Sequence, residues 1–209
     1  MRPVDRPGPD AGMPIVALVC SAGGLDALSR VLTRLPADLP AAIVALQHLA
    51  PDRPSELAAL LDARTALAVT TARDGDKLAA GRVLVAPPGR HLLLTNDGTV
   101  ALIRSGAVPP ARPSADLLLT SLALTAGPRA IAVVLTGHGT DGAIGAAAVH
   151  RFGGVVLASD EATSLHFAMP AATIGKGTVT DHVVGLDDVA PLLSSLISAP
   201  HRPVHDSPA

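Results

Sequence analysis

Residues 15–28 read IVALVCSAGGLDAL. An unbroken apolar run reaches Cys20, a serine follows, and after an alanine two glycines lead straight into an apolar pattern with helical spacing. A strand with no polar alternation is covered on both faces, which is the habit of a parallel sheet sandwiched between helices. A serine at its carboxyl end therefore stands where open α/β sheets bind their ligands. The glycines behind it let the backbone turn sharply and leave amide N–H groups bare at the start of the next helix.

Working outward, strand-like runs at 15–20, 42–46, 83–86, 130–136 and 154–158 alternate with amphipathic stretches at 24–35, 54–63, 114–126, 141–151 and 186–198. The expected fold class is α/β, a doubly wound, mostly parallel sheet in a Rossmann-like three-layer arrangement. Residues 81–104 break the rhythm with two short apolar runs around Asn96-Asp97-Gly98, a hairpin turn signal. An antiparallel hairpin, inserted in the parallel sheet or at its edge, is expected there. One folded domain over 13–199 is expected, with disordered tails at 1–12 and 200–209, where Pro, Gly and charge leave little to bury.

The chain has no Trp or Tyr and two Phe, so its core must be built from Ala, Val, Leu and Ile. A net charge of −2 supplies no field for gripping a phosphate backbone, and the stacking platforms used on single strands are missing; no nucleic-acid partner is expected. A lone cysteine, Cys20, excludes an internal disulfide and any multi-cysteine metal site. No apolar stretch reaches the roughly 18 residues of a membrane span, and the polar, Pro-rich start lacks the apolar core of a signal peptide. A cytoplasmic protein without membrane insertion is expected.

The serine turn has two functional readings, a phosphate or cofactor cradle and a nucleophile beside an oxyanion-binding turn. Neither the Gly-x-Gly-x-x-Gly fingerprint nor a Gly-Lys-Ser/Thr ending occurs at residues 19–25, which weakens the cradle. By itself Ser21 reads by default as an ordinary strand-end or capping serine. A nucleophile needs a base and an orienting acid, however, and other strand ends carry both types. Gln47-His48 closes the second run, and Gly137-His138-Gly139-Thr140-Asp141-Gly142 closes the run at 130–136. Taken singly, His48 reads as a structural histidine and Asp141 as a helix cap. Together, Ser, His and Asp at the carboxyl ends of three strands make a nucleophile, base and orienter set.

These segments resemble the catalytic domain of the chemotaxis protein-glutamate methylesterases, the CheB type, from about Ile15 to Leu196. The blocks that carry the resemblance are Ser21-Ala22-Gly23-Gly24, Gln47-His48, the Ala86 to Leu92 stretch, Arg112-Pro113-Ser114-Ala115-Asp116, Leu135 to Gly142, and Phe167-Ala168-Met169-Pro170. The resemblance implies a Ser21 nucleophile, a His48 general base and an Asp141 orienting carboxylate. Ala22, Gly23, Gly24, His138 and Gly139 would form the oxyanion and substrate loop, and no metal or organic cofactor is required. It implies hydrolysis of glutamate γ-methyl esters on chemoreceptor cytoplasmic helices and, as often in the family, deamidation of receptor glutamine. Implied partners are methyl-accepting receptor helices, with a methyltransferase or a response regulator acting in trans. Classical members begin with a receiver domain; with some fourteen residues ahead of Ile15, the expectation is a stand-alone form. A non-catalytic regulatory domain of the same fold, binding a receptor or a methyltransferase, is the alternative, and an esterase of the same mechanism on an unrelated ester is a third.

Two positions depart from the family pattern. Val19 stands where the family usually has Gly, and is expected either to crowd the turn or to be absorbed by small neighbours. His138 stands where many members carry Met, as a site-lining residue, a supporting contact or a bystander. Cys20 reads as a buried small hydrophobe. Arg112 and Asp116 read either as substrate-binding groups or as the start of a helix with Asp116 in its first turn. His91, after a Pro-Pro-Gly turn, reads either as facing the site or as a surface-loop residue.

Overall fold

The computed structural model describes residues 12–104 and 113–199. The expected tails, apart from Gly12, and Arg112 lie outside the described residues. Strand β1 (Ile15–Cys20) is central. Its even residues Val16, Leu18 and Cys20 enter one core cluster and its odd residues Ile15, Ala17 and Val19 the other. Every residue of the strand is fully buried, which is why it carries no polar alternation.

The sheet is built from β1, β2 (Ala42–Gln47), β3 (Ala68–Thr71), β4 (Arg82–Val85), β7 (Ala130–Val134), β8 (Val155–Ser159) and β9 (His182–Val184). All of its pairings are parallel, in the order β3-β4-β2-β1-β7-β8-β9. Helices α1 (Gly24–Leu32), α2 (Leu57–Asp62) and α6 (Leu186–Ser198) cover the face that holds Val16 and Leu18. Helices α3 (Ala115–Ala126), α4 (Ala143–Arg151) and α5 (Ala168–Ile174) cover the other. The chain starts at β1, winds outward through β2, and later returns past β1 to β7. The crevice between the carboxyl ends of β1 and β7 is thus a topological switch point, the usual ligand position in this fold class.

The hairpin forms as expected around Asn96-Asp97-Gly98, from β5 (His91–Leu94) and β6 (Val100–Ile103). It does not join the parallel sheet, in the interior or at the edge, but is a separate two-stranded sheet. It packs on α3 instead: the Leu94 amide donates to Ser121 Oγ at 3.0 Å, and Thr125 Oγ1 donates to the Leu94 carbonyl at 3.3 Å. His91 is 1% exposed at the start of β5, which corrects the surface-loop reading.

Besides a 3-10 turn at Gly127–Arg129, three elements among the described residues escaped the sequence patterns. β3 is an edge strand with only Val69 buried, β9 has three residues, and α5 is a two-turn helix with Pro170 near its start. Boundaries shift where local chemistry ends a helix. α4 starts at Ala143 rather than 141 because Gly142, with φ 107°, is its cap.

Val19 does not crowd the turn. It is an ordinary strand residue between Leu46 and Val134, fully buried, and among the described residues no non-glycine has a positive φ. Val19→Gly is therefore expected to destabilise the domain by about 2–4 kcal/mol, from lost burial and added backbone freedom. Urea denaturation of the two proteins measures this.

Candidate active site

The parallel register pairs Cys20 with Gln47, so Ser21 and His48 are neighbours at the next position along β1 and β2. The His48 amide donates to the Cys20 carbonyl at 3.0 Å and continues the ladder one step beyond the strands. Ser21 is held by its backbone: its amide donates to the Thr136 carbonyl at 2.9 Å, and its carbonyl accepts from Gly24 at 3.0 Å. Gly23, with φ 81°, makes the left-handed turn that starts α1 directly behind the serine. The serine turn is thereby tied to the end of β7, the strand that leads into the loop carrying Asp141.

His48 Nε2 and Asp141 Oδ2 are 2.7 Å apart, with both side chains largely buried. The Asp141 carboxylate also accepts from the Ala115 amide at 2.8 Å, the Asp116 amide at 2.9 Å and Ser114 Oγ at 3.1 Å. Burial works to raise its pKa, but the hydrogen bond from His48 and those from the Asp116 and Ala115 amides outweigh it and hold the carboxyl below its ordinary value. An ionised Asp141 only accepts, so the proton between the pair is assigned to His48 Nε2, leaving a lone pair on Nδ1. In the chymotrypsin-type triad the acid sits on Nδ1 and the base acts through Nε2. Here the carboxylate sits on Nε2 instead. Among the described residues Ser21 Oγ makes no hydrogen bond; catalytic contacts often tighten only when substrate binds.

Around the serine, Thr136 joins the converging loops. Its hydroxyl lies 3.1 Å from the Ala22 carbonyl and 3.2 Å from the His166 carbonyl, and accepts from the His166 amide at 2.8 Å. Gly137 donates to the His166 carbonyl at 2.8 Å. A side chain at Gly137 has nowhere to go, since a Cβ there would lie 2.7 Å from Ser21 Cβ and collide with Met169 Sδ. Gly137→Ala is expected to displace the serine and cut kcat about 100-fold, the scale of a 1 Å misplacement. Steady-state kinetics on protein whose fold is checked by circular dichroism would test it.

The loop residues expected to bind an oxyanion divide. Gly24 is not available as a donor, because its amide is committed to the Ser21 carbonyl. Among the described residues the amides of Ala22, Gly23, His138 and Gly139 have no acceptor. The His138 side chain is exposed, its ring 4.0 Å from that of His166 and tilted by 41°. Asp116 is turned to the start of α4, where its Oδ1 accepts from the Gly142 and Gly145 amides at 2.9 and 2.8 Å. Ser114 caps α3, as the cap reading of that segment has it. Cys20 is fully buried, its thiol pushed far up by desolvation and donating to the Leu46 carbonyl at 3.4 Å. It is inert packing, as read from its place in the strand. Among the described residues no group of three or more His, Cys, Asp or Glu side chains converges as metal ligands would.

Two depressions flank this centre. One, of about 360 Å³, is lined by Leu25, Gln47, Leu49, Arg53 and Leu57 among others; the second, of about 520 Å³, by Gly23, Thr136, Thr163, Leu165 and Leu186 among others. Ser21 lines neither. Leu165, 72% exposed, stands over Gly23 at the rim.

The family model for CheB methylesterase matches residues 16–193, which includes every residue of this centre. The chain belongs to the CheB methylesterase family. It is 41% identical over 196 residues to a protein-glutamate methylesterase/protein-glutamine glutaminase of Moorella thermoacetica, covering 92% of this chain and 46% of that protein. To a protein of the same name and numbered 2 from Anaeromyxobacter dehalogenans it is 43% identical over 190 residues, covering 91% of this chain and 55% of the other. Among solved structures, the CheB methylesterase catalytic domain of Thermotoga maritima superposes with a TM-score of 0.84 at 35% identity, covering 88% of this chain and 98% of that one. The chain spans about half the length of the curated relatives it matches. The CheB fold thus accounts for the parallel sheet and the separate hairpin together.

Sequence reasoning missed what surrounds Asp141. Ser114, Ala115 and Asp116 were legible as a helix start, and Asp141 as a cap candidate, but not as partners of one another. Thr136 was legible as part of the Leu135 to Gly142 block, whereas His166, in the loop ahead of α5, carried no signal.

Proposed function

We propose that this domain hydrolyses γ-methyl esters of glutamate on the cytoplasmic helices of methyl-accepting chemoreceptors, and deamidates receptor glutamine by the same route. The observation that carries the reading is the His48–Asp141 pair, 2.7 Å apart beside Ser21, in a chain of the CheB methylesterase family. Ser21 Oγ attacks the ester carbonyl while His48 Nδ1 takes its proton. The tetrahedral oxyanion faces the Ala22 and His138 amides, with Gly23 and Gly139 in the same loops. Collapse expels methanol, protonated by His48, and leaves an acyl-serine. Water, activated by the same nitrogen, then releases glutamate; with glutamine the leaving group is ammonia. Asp141 keeps the ring oriented and stabilises the imidazolium formed in each half.

A half-buried serine with a depression on either side suits a side chain presented by a protein segment. The receptor helix is the partner implied, in the cytoplasm, with control by a response regulator or a methyltransferase in trans. No helix among the described residues is long and apolar enough to cross a membrane. The test is methanol release from a γ-methyl-esterified receptor helix by the wild-type protein. Binding of that helix without release, under conditions where a homologous methylesterase turns it over, would replace this reading with the non-catalytic one.

A further inference from the structure

We propose that Asp116 is a positioning residue for the reaction, holding Asp141 in register with His48. The inference rests on the triad reading above. Asp141 sits at the end of a loop whose preceding residues His138, Gly139 and Thr140 are exposed, so that loop supplies little to fix a carboxylate. What fixes it is an exchange between two helix starts. The Asp116 amide, in the first turn of α3, donates to Asp141 Oδ1 at 2.9 Å. In return Asp116 Oδ1 accepts from Gly142, the residue after Asp141, at 2.9 Å, and from Gly145 at 2.8 Å. Asp116, in α3, thus caps α4, and Asp141, just ahead of α4, caps α3, each meeting amides that would otherwise lack acceptors.

The helices meet closely enough for this exchange because Gly145 has no side chain. A Cβ there would lie 2.6 Å from Leu119 Cβ and 2.8 Å from the Asp116 carbonyl oxygen. Moving Asp116 therefore moves the peptide that follows Asp141 and the amide that faces it. Burial pushes the Asp116 carboxyl up, and the charge of Asp141 adds to that. The Gly145 and Gly142 amides favour its ionised form, but an uncharged acceptor in the same place meets them too. What it supplies is an oxygen acceptor at one place.

The experiment compares Asp116→Ala, Asp116→Asn and Asp141→Ala on the esterified helix, with active sites counted by the acylation burst. Asp116→Ala is expected to lower kcat per active site about 100-fold at unchanged KM, the scale of a misplaced catalytic group. Asp116→Asn, whose amide oxygen still accepts from Gly142 and Gly145, is expected to restore most of it. The downfield resonance of the His48 Nε2 proton should be lost or shifted in the alanine variant and return in the asparagine variant. A purely structural role would lower the number of active sites but leave kcat per site and that resonance unmoved, which would overturn the proposal. An asparagine variant as slow as the alanine variant would overturn it too. Should Asp116→Ala not fold, Asp116→Glu, which keeps the charge and displaces the oxygen, reads the same quantity. If Asp141→Ala turns over normally, the triad reading fails; if Asp141→Ala is slow and Asp116→Ala is not, only the present inference fails.

Discussion

Ser21→Ala is expected to abolish methanol release, with kcat falling by a factor of about 10⁴ or more, the scale seen when a triad nucleophile is removed. The protein should stay folded. The Ser21 amide and carbonyl hold the turn through Thr136 and Gly24, and an alanine keeps both bonds. Its hydroxyl makes no hydrogen bond among the described residues, so no buried partner is left unpaired. Thermal unfolding should coincide for the two proteins, and the esterified helix should bind both equally. Turnover by Ser21→Ala at more than about a hundredth of the wild-type rate would remove the serine from the mechanism, since oxyanion binding alone leaves far less.

Asp141→Ala carries the second large effect, and it has two parts. Activity should fall by a factor of about 10⁴, because His48 loses the acceptor that fixes its tautomer and orientation. Stability should fall by about 2–4 kcal/mol as well, since the Ala115 and Asp116 amides and the Ser114 hydroxyl lose their common acceptor. The pH dependence separates this from a general packing defect. Asp141 is held below its unfolded-state pKa, so its stabilisation is present above that value and is lost as pH falls through the folded value. The gap between wild type and Asp141→Ala should be full near neutrality and close on the acid side of about pH 4. Denaturant titrations at a series of pH values measure it, and a gap independent of pH would show that the ionised carboxylate is not what stabilises the site.

Much of this was legible in the chain because the candidate site sits where the strand pattern ends. The run from Ile15 to Cys20 is apolar throughout because both its faces are covered, and that announced the parallel sheet before any tertiary contact was known. Ser21, His48 and Asp141 each follow such a run, and the fold sets Ser21 beside His48 and pairs His48 with Asp141. The hairpin turn was legible from Asn96-Asp97-Gly98, whereas its separation from the main sheet was not, because the docking of β5 on α3 depends on Ser121 and Thr125, far along the chain. β3 and β9 were invisible for a different reason: edge strands of four and three residues carry too few buried positions to impress a period on the sequence. The loop expected to bind an oxyanion was half legible. Glycines mark where amides can be bare, but only geometry reveals that the Gly24 amide is already bonded to Ser21.

Cys20 offers an experimental handle. It is the chain's single cysteine, fully buried in the central strand and adjacent to Ser21. A thiol-selective dye can enter only when β1 parts from its neighbours, so labelling in dilute denaturant is a clock for the opening of the sheet at its middle. With a receptor helix present, a slower clock would report how strongly the bound partner braces the strand that bears the serine, in molecules that never turn over.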